Sequence, residues 1–444
     1  MSEKKEGNFN RRDFIGAVAV VGTGALLASC GKSAAPKGTY LDEAPDGRPL
    51  KAALIGCGSR GTGAAGDFLR AGKDLKITVL GDLFPDQLAE CRRKMAGKID
   101  AADDHCFVGF DAFKKAIDTD VDLVLLATPP HFRAEHFAYA VEKGKHVFME
   151  KPVAVDPVAV RSVLATAEQA KAKNLSVVTG TQRRHQREYI DTYNQVANGA
   201  IGKIVAGRAY WTQGQLWFKQ RKEGWSDMEA MIRDWVNWCW LSGDHIVEQH
   251  VHNIDVINWF TGEYPSKAVG MGGRARRVTG DQYDFFTVDY TYPSGIHMLS
   301  MCRQVDGCAN NVSEVIVGTD GYAFCNNGMN SIYDKTGKEI WKYTEPGEPG
   351  QEPRNKSKMS AYRQEHIDLV TAIRSDKPFN EAESTAKSTL TAIMGRISAY
   401  TGKETTWDEV MDSKMRLGPT EYALGPSDIK AEIPIPGTSK NASA

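Results

Sequence analysis

Residues 51–61 read KAALIGCGSRG, and their reading decides the fold. Lys51-Ala-Ala-Leu-Ile is a short apolar run that stops at a glycine, as a buried strand does. Gly56, Gly58 and Gly61 follow at GxGxxG spacing, and Gly63 to Ala71 reads as a helix. In that setting the first glycine permits a tight turn. The second lets a ligand approach the backbone, and the third lets helix and strand pack closely, with phosphate at the helix N-terminus. Ser59 and Arg60 complete the loop. Asp82 ends the next strand signal, Ile77 to Asp82, about 20 residues on, where a carboxylate accepts from ribose hydroxyls and repels a 2′-phosphate. The pattern predicts bound NAD rather than NADP; Arg60 would oppose that if its guanidinium reached the 2′ position. A purely structural glycine turn is the competing reading.

Working outward, residues 49–180 alternate strand and helix signals. Further strands are expected at Val121–Ala127, His146–Met149 and Leu175–Thr179, with helices over Phe84–Ala96, Ala134–Lys143 and Val158–Lys173. Continuous apolar strands alternating with helices mean a doubly wound parallel sheet. Residues 181–424 change character: a helix over Arg187–Asn198, a strand at Ile204–Trp211, then period-two runs such as Phe285–Tyr292 and Val312–Gly318. These predict a second α/β domain with a large, mostly antiparallel sheet, closed by helices at Ser360–Ser375 and Glu383–Thr401. The stretch 425–444 reads as a polar, Pro-containing tail over the surface.

Residues 1–30 read as a leader. Arg11 and Arg12 precede a moderately apolar run broken by Gly16, Gly22 and Gly24, and Leu27-Ala28-Ser29-Cys30 resembles a lipoprotein processing box. That is the pattern of a twin-arginine signal, which carries folded proteins outward. A membrane span is the alternative, but Phe14 to Ser29 falls short of the about 20 apolar residues it needs. A polar linker covers 31–48. The expected location is periplasmic, with lipid attachment at Cys30. The remainder is long enough for two domains. A net charge of −1 offers no field for nucleic acid. The other cysteines form no CxxC pair and no zinc-finger spacing, so buried thiols are expected.

Two motifs lie at the carboxyl ends of predicted strands, where such sheets bind ligands. They are Ala127-Thr128-Pro129-Pro130-His131 and Gly144-Lys-His-Val-Phe-Met-Glu150-Lys151-Pro152. With the glycine fingerprint, they resemble the glucose–fructose oxidoreductase and inositol dehydrogenase (Gfo/Idh/MocA) family. The resemblance implies a Rossmann domain joined to an α/β domain whose sheet mediates homodimers or homotetramers. It also implies that Thr128, Pro129, His131 and Glu150 contribute to the cofactor site. Lys151 would stand beside the nicotinamide and the reacting sugar hydroxyl, after a peptide that is often cis. Arg133 stands where many members carry a second histidine.

A second dense cluster is Leu241-Ser-Gly-Asp-His-Ile-Val-Glu-Gln-His-Val-His-Asn-Ile-Asp255. As one continuous helix it would set His245, Glu248, His252 and Asp255 on one face and turn His250 away. By the resemblance His252 is the base that takes the sugar hydroxyl proton, and Glu248, in place of the usual aspartate, orients the pair. A structural polar helix is one alternative. A metal site of His245, Glu248 and His252 is another, though HExxH is absent and no metal is expected. Arg183, His245 and Trp238 are the candidate substrate contacts, Trp238 from a Trp-rich stretch whose rings suit sugar faces or core packing equally.

The resulting expectation is an NAD-dependent oxidoreductase acting on a secondary hydroxyl of a sugar or glycoside, with tightly bound NAD recycled in situ. Two alternatives stand beside it. One is a redox-neutral glycosidase working by oxidation, elimination, hydration and reduction. The other is a non-catalytic sugar-sensing lipoprotein.

Overall fold

A computed structural model describes residues 40–345, 352 and 354–438. The leader, Cys30 and most of the linker lie outside the described residues. Within them no helix is long and apolar enough to cross a membrane.

The first sheet has six parallel strands, β1 (Leu50–Ile55), β2 (Leu75–Asp82), β3 (Cys106–Val108), β4 (Leu123–Leu126), β5 (His146–Met149) and β6 (Val177–Thr179). Their order is β3-β2-β1-β4-β5-β6. Strand order reverses between β1 and β4, which opens a crevice at their carboxyl ends. Both faces are covered by helices: α1 (Ser59–Leu69), α2 (Pro85–Lys94), α3 (Ala112–Ile117), α4 (Pro130–Glu142) and α5 (Pro157–Ala172). That cover explains why β4 is apolar at every position and fully buried. Strand β3 and helix α3 escape the periodicity of the sequence because they are only three and six residues long.

The helices that follow are α6 (Arg187–Ala197), α7 (Asp227–Arg233), α8 (Cys239–Ser242), α9 (His245–Glu248) and α10 (Val251–Thr261). The second sheet starts with β7 (Ile204–Gln213) and continues with β8 (Lys267–Gly273), β9 (Phe285–Thr291), β10 (His297–Gln304), β11 (Asn311–Gly318), β12 (Gly321–Asn326), β13 (Asn330–Asp334), β14 (Glu339–Lys342) and β15 (Thr405–Thr406). Among the described residues its order is β14-β13-β12-β11-β7-β10-β9-β8-β15. Strands β7 and β10 run parallel; the other neighbours are antiparallel. One face packs on α10 and on the long helix α12 (Ala382–Thr401), through residues such as Val288, Tyr290, Ile254 and Ile393.

The two layers share more than a hinge. Helix α11 (Ala361–Arg374) returns to the first sheet, where Ile367, Leu369 and Val370 join Leu54, Phe68 and Leu80 in one core. The chain after it bonds to β6: Val177 donates its N–H to Phe379 O (2.7 Å), and Glu381 donates to Val177 O (2.9 Å). The segment after helix α13 (Trp407–Asp412) then crosses to a satellite cluster, where Leu417, Tyr422 and Ile429 pack with Phe84, Met228 and Trp240.

Candidate active site

The glycine loop is held by steric necessity. Gly56 has φ +94°, and a Cβ there would lie 2.6 Å from the Ala127 carbonyl carbon. A Cβ on Gly61 would lie 1.8 Å from Gly56 O. At Gly58, by contrast, a Cβ would meet only Gln87 Oε1, at 3.9 Å, so this glycine leaves open space rather than relieving a contact. Gly58 also N-caps α1 without a side chain of its own. Its neighbouring N–H groups and helix dipole are therefore available to an anion.

A cavity of about 520 Å³ opens beside this loop, lined on the Rossmann side by Gly56, Gly58, Ser59, Arg60, Asp82, Thr128 and Pro129. Asp82 accepts from Cys57 N–H (2.6 Å) and Phe84 N–H (2.8 Å), one on each oxygen. Burial pushes its carboxyl pKa up, and those two N–H groups oppose the shift. Each oxygen keeps a further lone pair for a ribose hydroxyl. Arg60 is engaged by protein partners: its Nε donates to Glu150 Oε1, Glu365 lies 3.7 Å from Nη2, and its guanidinium stacks 4.6 Å from the Tyr362 ring. The residues present thus fit a dinucleotide, with open space for the pyrophosphate and a carboxylate for the ribose.

Beyond this cavity the two motif loops meet the second domain. The Lys151-Pro152 peptide is cis. Lys151 Nζ donates to Glu248 O and sits 3.1 Å from Glu248 Oε1, both side chains being nearly buried. Glu248 Oε2 is buried without a hydrogen-bond partner among the described residues. Glu150 is wedged against Gly180, where a Cβ would come within 2.4 Å of its Oε2. Arg133 ties the loops together, donating to Thr128 O (2.8 Å) and Pro152 O (2.7 Å). Burial lowers its pKa to about 10, still well above neutrality. The sequence flagged Arg133 only as a departure from the family pattern; its bracing role depends on a distance between loops that spacing does not reveal.

The helix expected through residues 241–255 is broken, which corrects the single-face reading. Helix α9 begins after Asp244, a non-glycine residue at φ +70°, and ends at Glu248. His250 N–H then bonds to His245 O, five residues back. This wide turn rotates α10 relative to α9. His245 accordingly faces Asp244 Oδ1 (3.0 Å) and the Phe286 ring (5.1 Å). Asp255 is engaged in a two-pronged pair with Arg184 (2.8 and 2.9 Å) and a bond from Ser388. His250 points elsewhere, to Ser300 (2.7 Å). Among the described residues no three His, Cys, Asp or Glu side chains gather as a metal site.

His252 is buried, its ring stacked on Trp211 at 5.6 Å and 21°. Burial drives its pKa well below the ordinary imidazole value, and the charges of Lys151, Arg183 and Arg60 push the same way. Both effects favour the uncharged ring. Arg183 is turned to Glu314 in a buried pair, and Glu314 also accepts from Asn253 (2.6 Å) and Tyr189 (2.9 Å). Its guanidinium lies 5.6 Å from the Trp211 ring, so it braces the ring that stacks on His252. Trp238 packs in the satellite cluster with Phe84 and Trp240, the core role its residue type allowed. His131 Nε2 bonds Tyr422 Oη (2.6 Å), and burial lowers its pKa to about 4.

A two-domain chain with a dinucleotide-type crevice and a lysine–carboxylate pair across the domain junction defines a nucleotide-dependent oxidoreductase architecture. The family models agree: residues 50–179 match the oxidoreductase family NAD-binding Rossmann fold, and residues 189–324 match the GFO/IDH/MocA C-terminal domain. The chain belongs to the Gfo/Idh/MocA family and carries its NAD-binding domain. Similar curated proteins include a glycosyl hydrolase family 109 protein of Shewanella sp. (strain ANA-3), 28% identical over 48% of each chain. Another is the scyllo-inositol 2-dehydrogenase (NAD(+)) of Bacillus subtilis, 20% identical over 62% of this chain and 73% of that one. The chain spans about half to three-fifths of the first curated relatives it matches. Among solved structures, a scyllo-inositol dehydrogenase from Lactobacillus casei with bound NAD(H) and scyllo-inositol has a TM-score of 0.60 at 19% identity, covering 81% of this chain and 99% of that one. A levoglucosan dehydrogenase in complex with NADH and levoglucosan has a TM-score of 0.64 at 18% identity, with the same coverage.

Proposed function

We propose that this protein is an NAD-dependent oxidoreductase that oxidises a secondary hydroxyl of a sugar or glycoside, with NAD retained and recycled in place. The observation that carries the reading is the contact between Lys151, at the end of a Rossmann strand, and Glu248 of the second domain. It sets a cation and its carboxylate together at the domain junction, and His252, buried and stacked on Trp211, lies in the first turn of α10, four residues after Glu248. Gly56, Gly58, Gly61 and Asp82 would hold NAD, which when bound supplies a hydride acceptor. His252 takes the hydroxyl proton. Lys151 donates to the developing alkoxide, and Glu248 fixes the direction of that donor.

A redox-neutral glycosidase is the second reading, favoured by the family 109 relatives at 25–28% identity. In that version a transient ketone acidifies the neighbouring C–H, the aglycone leaves, water adds, and the ketone is reduced again. Purified protein incubated with glycosides and no added NAD separates the two. Near-ultraviolet absorbance of reduced nicotinamide that rises to one equivalent and stalls supports the oxidoreductase. Many turnovers of released sugar support the glycosidase, and neither signal sinks both.

Export by the twin-arginine route and lipid attachment at Cys30 complete the proposal, supported by Arg11, Arg12 and the box ending at Cys30. A homo-oligomer through the outer face of the large sheet is supported by apolar side chains exposed there. They include Val205 on β7, Val269 and Met271 on β8, and Leu299 and Met301 on β10.

A further inference from the structure

The cofactor cavity has a second wall that does not come from the Rossmann domain. Trp217, Phe218, Lys219, Ile232, Arg233 and Trp235 line it from the stretch between β7 and α8. Trp217 and Phe218 are 45% and 51% exposed, although they are large apolar side chains beside a pocket. Their wall is nevertheless firmly built. Buried Asp234 accepts the Lys219 N–H (2.6 Å), and buried Asn237 donates to Trp217 O (3.3 Å). Trp217 and Trp235 pack edge to face at 6.1 Å. Across the junction Arg233 forms a two-pronged pair with Asp86 on α2 (2.8 and 2.9 Å) and lies 3.9 Å over the Phe84 ring. The aromatic surface therefore stands clamped and open on the side of the cavity that holds Asp82.

We infer that Trp217 and Phe218, clamped by the Arg233–Asp86 pair, bind the adenosine half of the dinucleotide and are what keeps it from leaving. This rests on the reading that NAD stays bound through turnover. An adenine base has two apolar π-faces and needs a flat aromatic partner, which these exposed rings offer. A Rossmann loop alone grips pyrophosphate and ribose. A wall from the second domain adds a further surface, so the adenosine half must leave these two rings before it is released. Burying two exposed aromatic rings against the ligand also covers apolar surface otherwise left to water.

The test uses the full chain, with Trp217→Ala/Phe218→Ala as one variant and Trp217→Leu/Phe218→Leu as a second that keeps apolar bulk. NAD content after gel filtration, exchange against labelled NAD, and binding of ADP-ribose and of nicotinamide mononucleotide are measured. The wild type is expected to carry NAD. Both variants should exchange it about tenfold faster or more and weaken ADP-ribose to the same degree, with nicotinamide mononucleotide unchanged. Exchange and ADP-ribose affinity within twofold of wild type in a folded variant would overturn the inference. A wild type that purifies without NAD overturns the retention reading instead. The aromatic wall is then decided by ADP-ribose affinity alone, wild type against variant.

Discussion

At the scale of single residues, the chemistry rests on Lys151 and on the buried histidines. Lys151→Ala removes the cation at the reacting centre but touches no part of the glycine loop. Hydride transfer should fall by about 100-fold or more, while the NAD content of the purified variant stays at the wild-type level. Rates near wild type would refute the role given to Lys151. The histidines also carry a pH signature. His136 lies against the Phe113 ring at 4.0 Å, with Nδ1 3.3 Å from Thr128 Oγ1, and burial lowers its pKa to about 3. In the unfolded chain it takes up a proton below about pH 6.5. Between those values the unfolded state binds more protons, so this ring makes stability fall as pH falls from about 6.5. In His136→Asn that loss should shrink by about 2 kcal/mol between pH 7.5 and 5, measured as the difference in urea-unfolding free energy at the two pH values. An unchanged difference would show that His136 is not the group responsible.

At the scale of elements, two glycines of one loop should behave oppositely. Gly61→Ala drives a Cβ into Gly56 O and should lower the melting temperature as well as NAD affinity. Gly58→Ala meets open space. It should leave the melting temperature within about 2 °C, since nothing is displaced, yet weaken NAD by about tenfold because the methyl stands where phosphate must approach. Calorimetry with and without NAD distinguishes them. This loop was legible from residues 51–61 because strand, glycines and helix are contiguous, and so local physics suffices. The cluster at 241–255 was legible in composition but not in shape. Periodicity assumes an unbroken helix, and the positive φ of Asp244 and the wide turn at His250 are imposed by packing on β10 and by bonds to Tyr283 and Tyr400. Arg183 shows the same limit. Its buried acceptor, Glu314, lies on β11, far along the chain, so sequence could suggest a charge near the site but not its use as a brace.

At the scale of the whole molecule, the exposed sheet face and the shared core set the behaviour. Met271 is 68% exposed, pairs across β9 to Thr287, and through it aligns with Met301 on β10. Met271→Glu places a charge in that apolar row, and light scattering after size exclusion should report a smaller particle than wild type. An unchanged mass would move the subunit contact elsewhere. Domain order along the chain was readable, because the change from alternating elements to period-two strands falls near residue 180. The physical partition was not. The second domain lends the first a helix, and no local pattern announces that Ile367 and Val370 will sit beside Phe68.

That loan has a temporal side. A chain is made from its N-terminus, and domains generally fold as they emerge. Here the nucleotide-binding layer lacks one wall of its core until residues 361–374 have left the ribosome. The sheet that carries the glycine loop therefore gains its last core helix only after most of the second domain has been made.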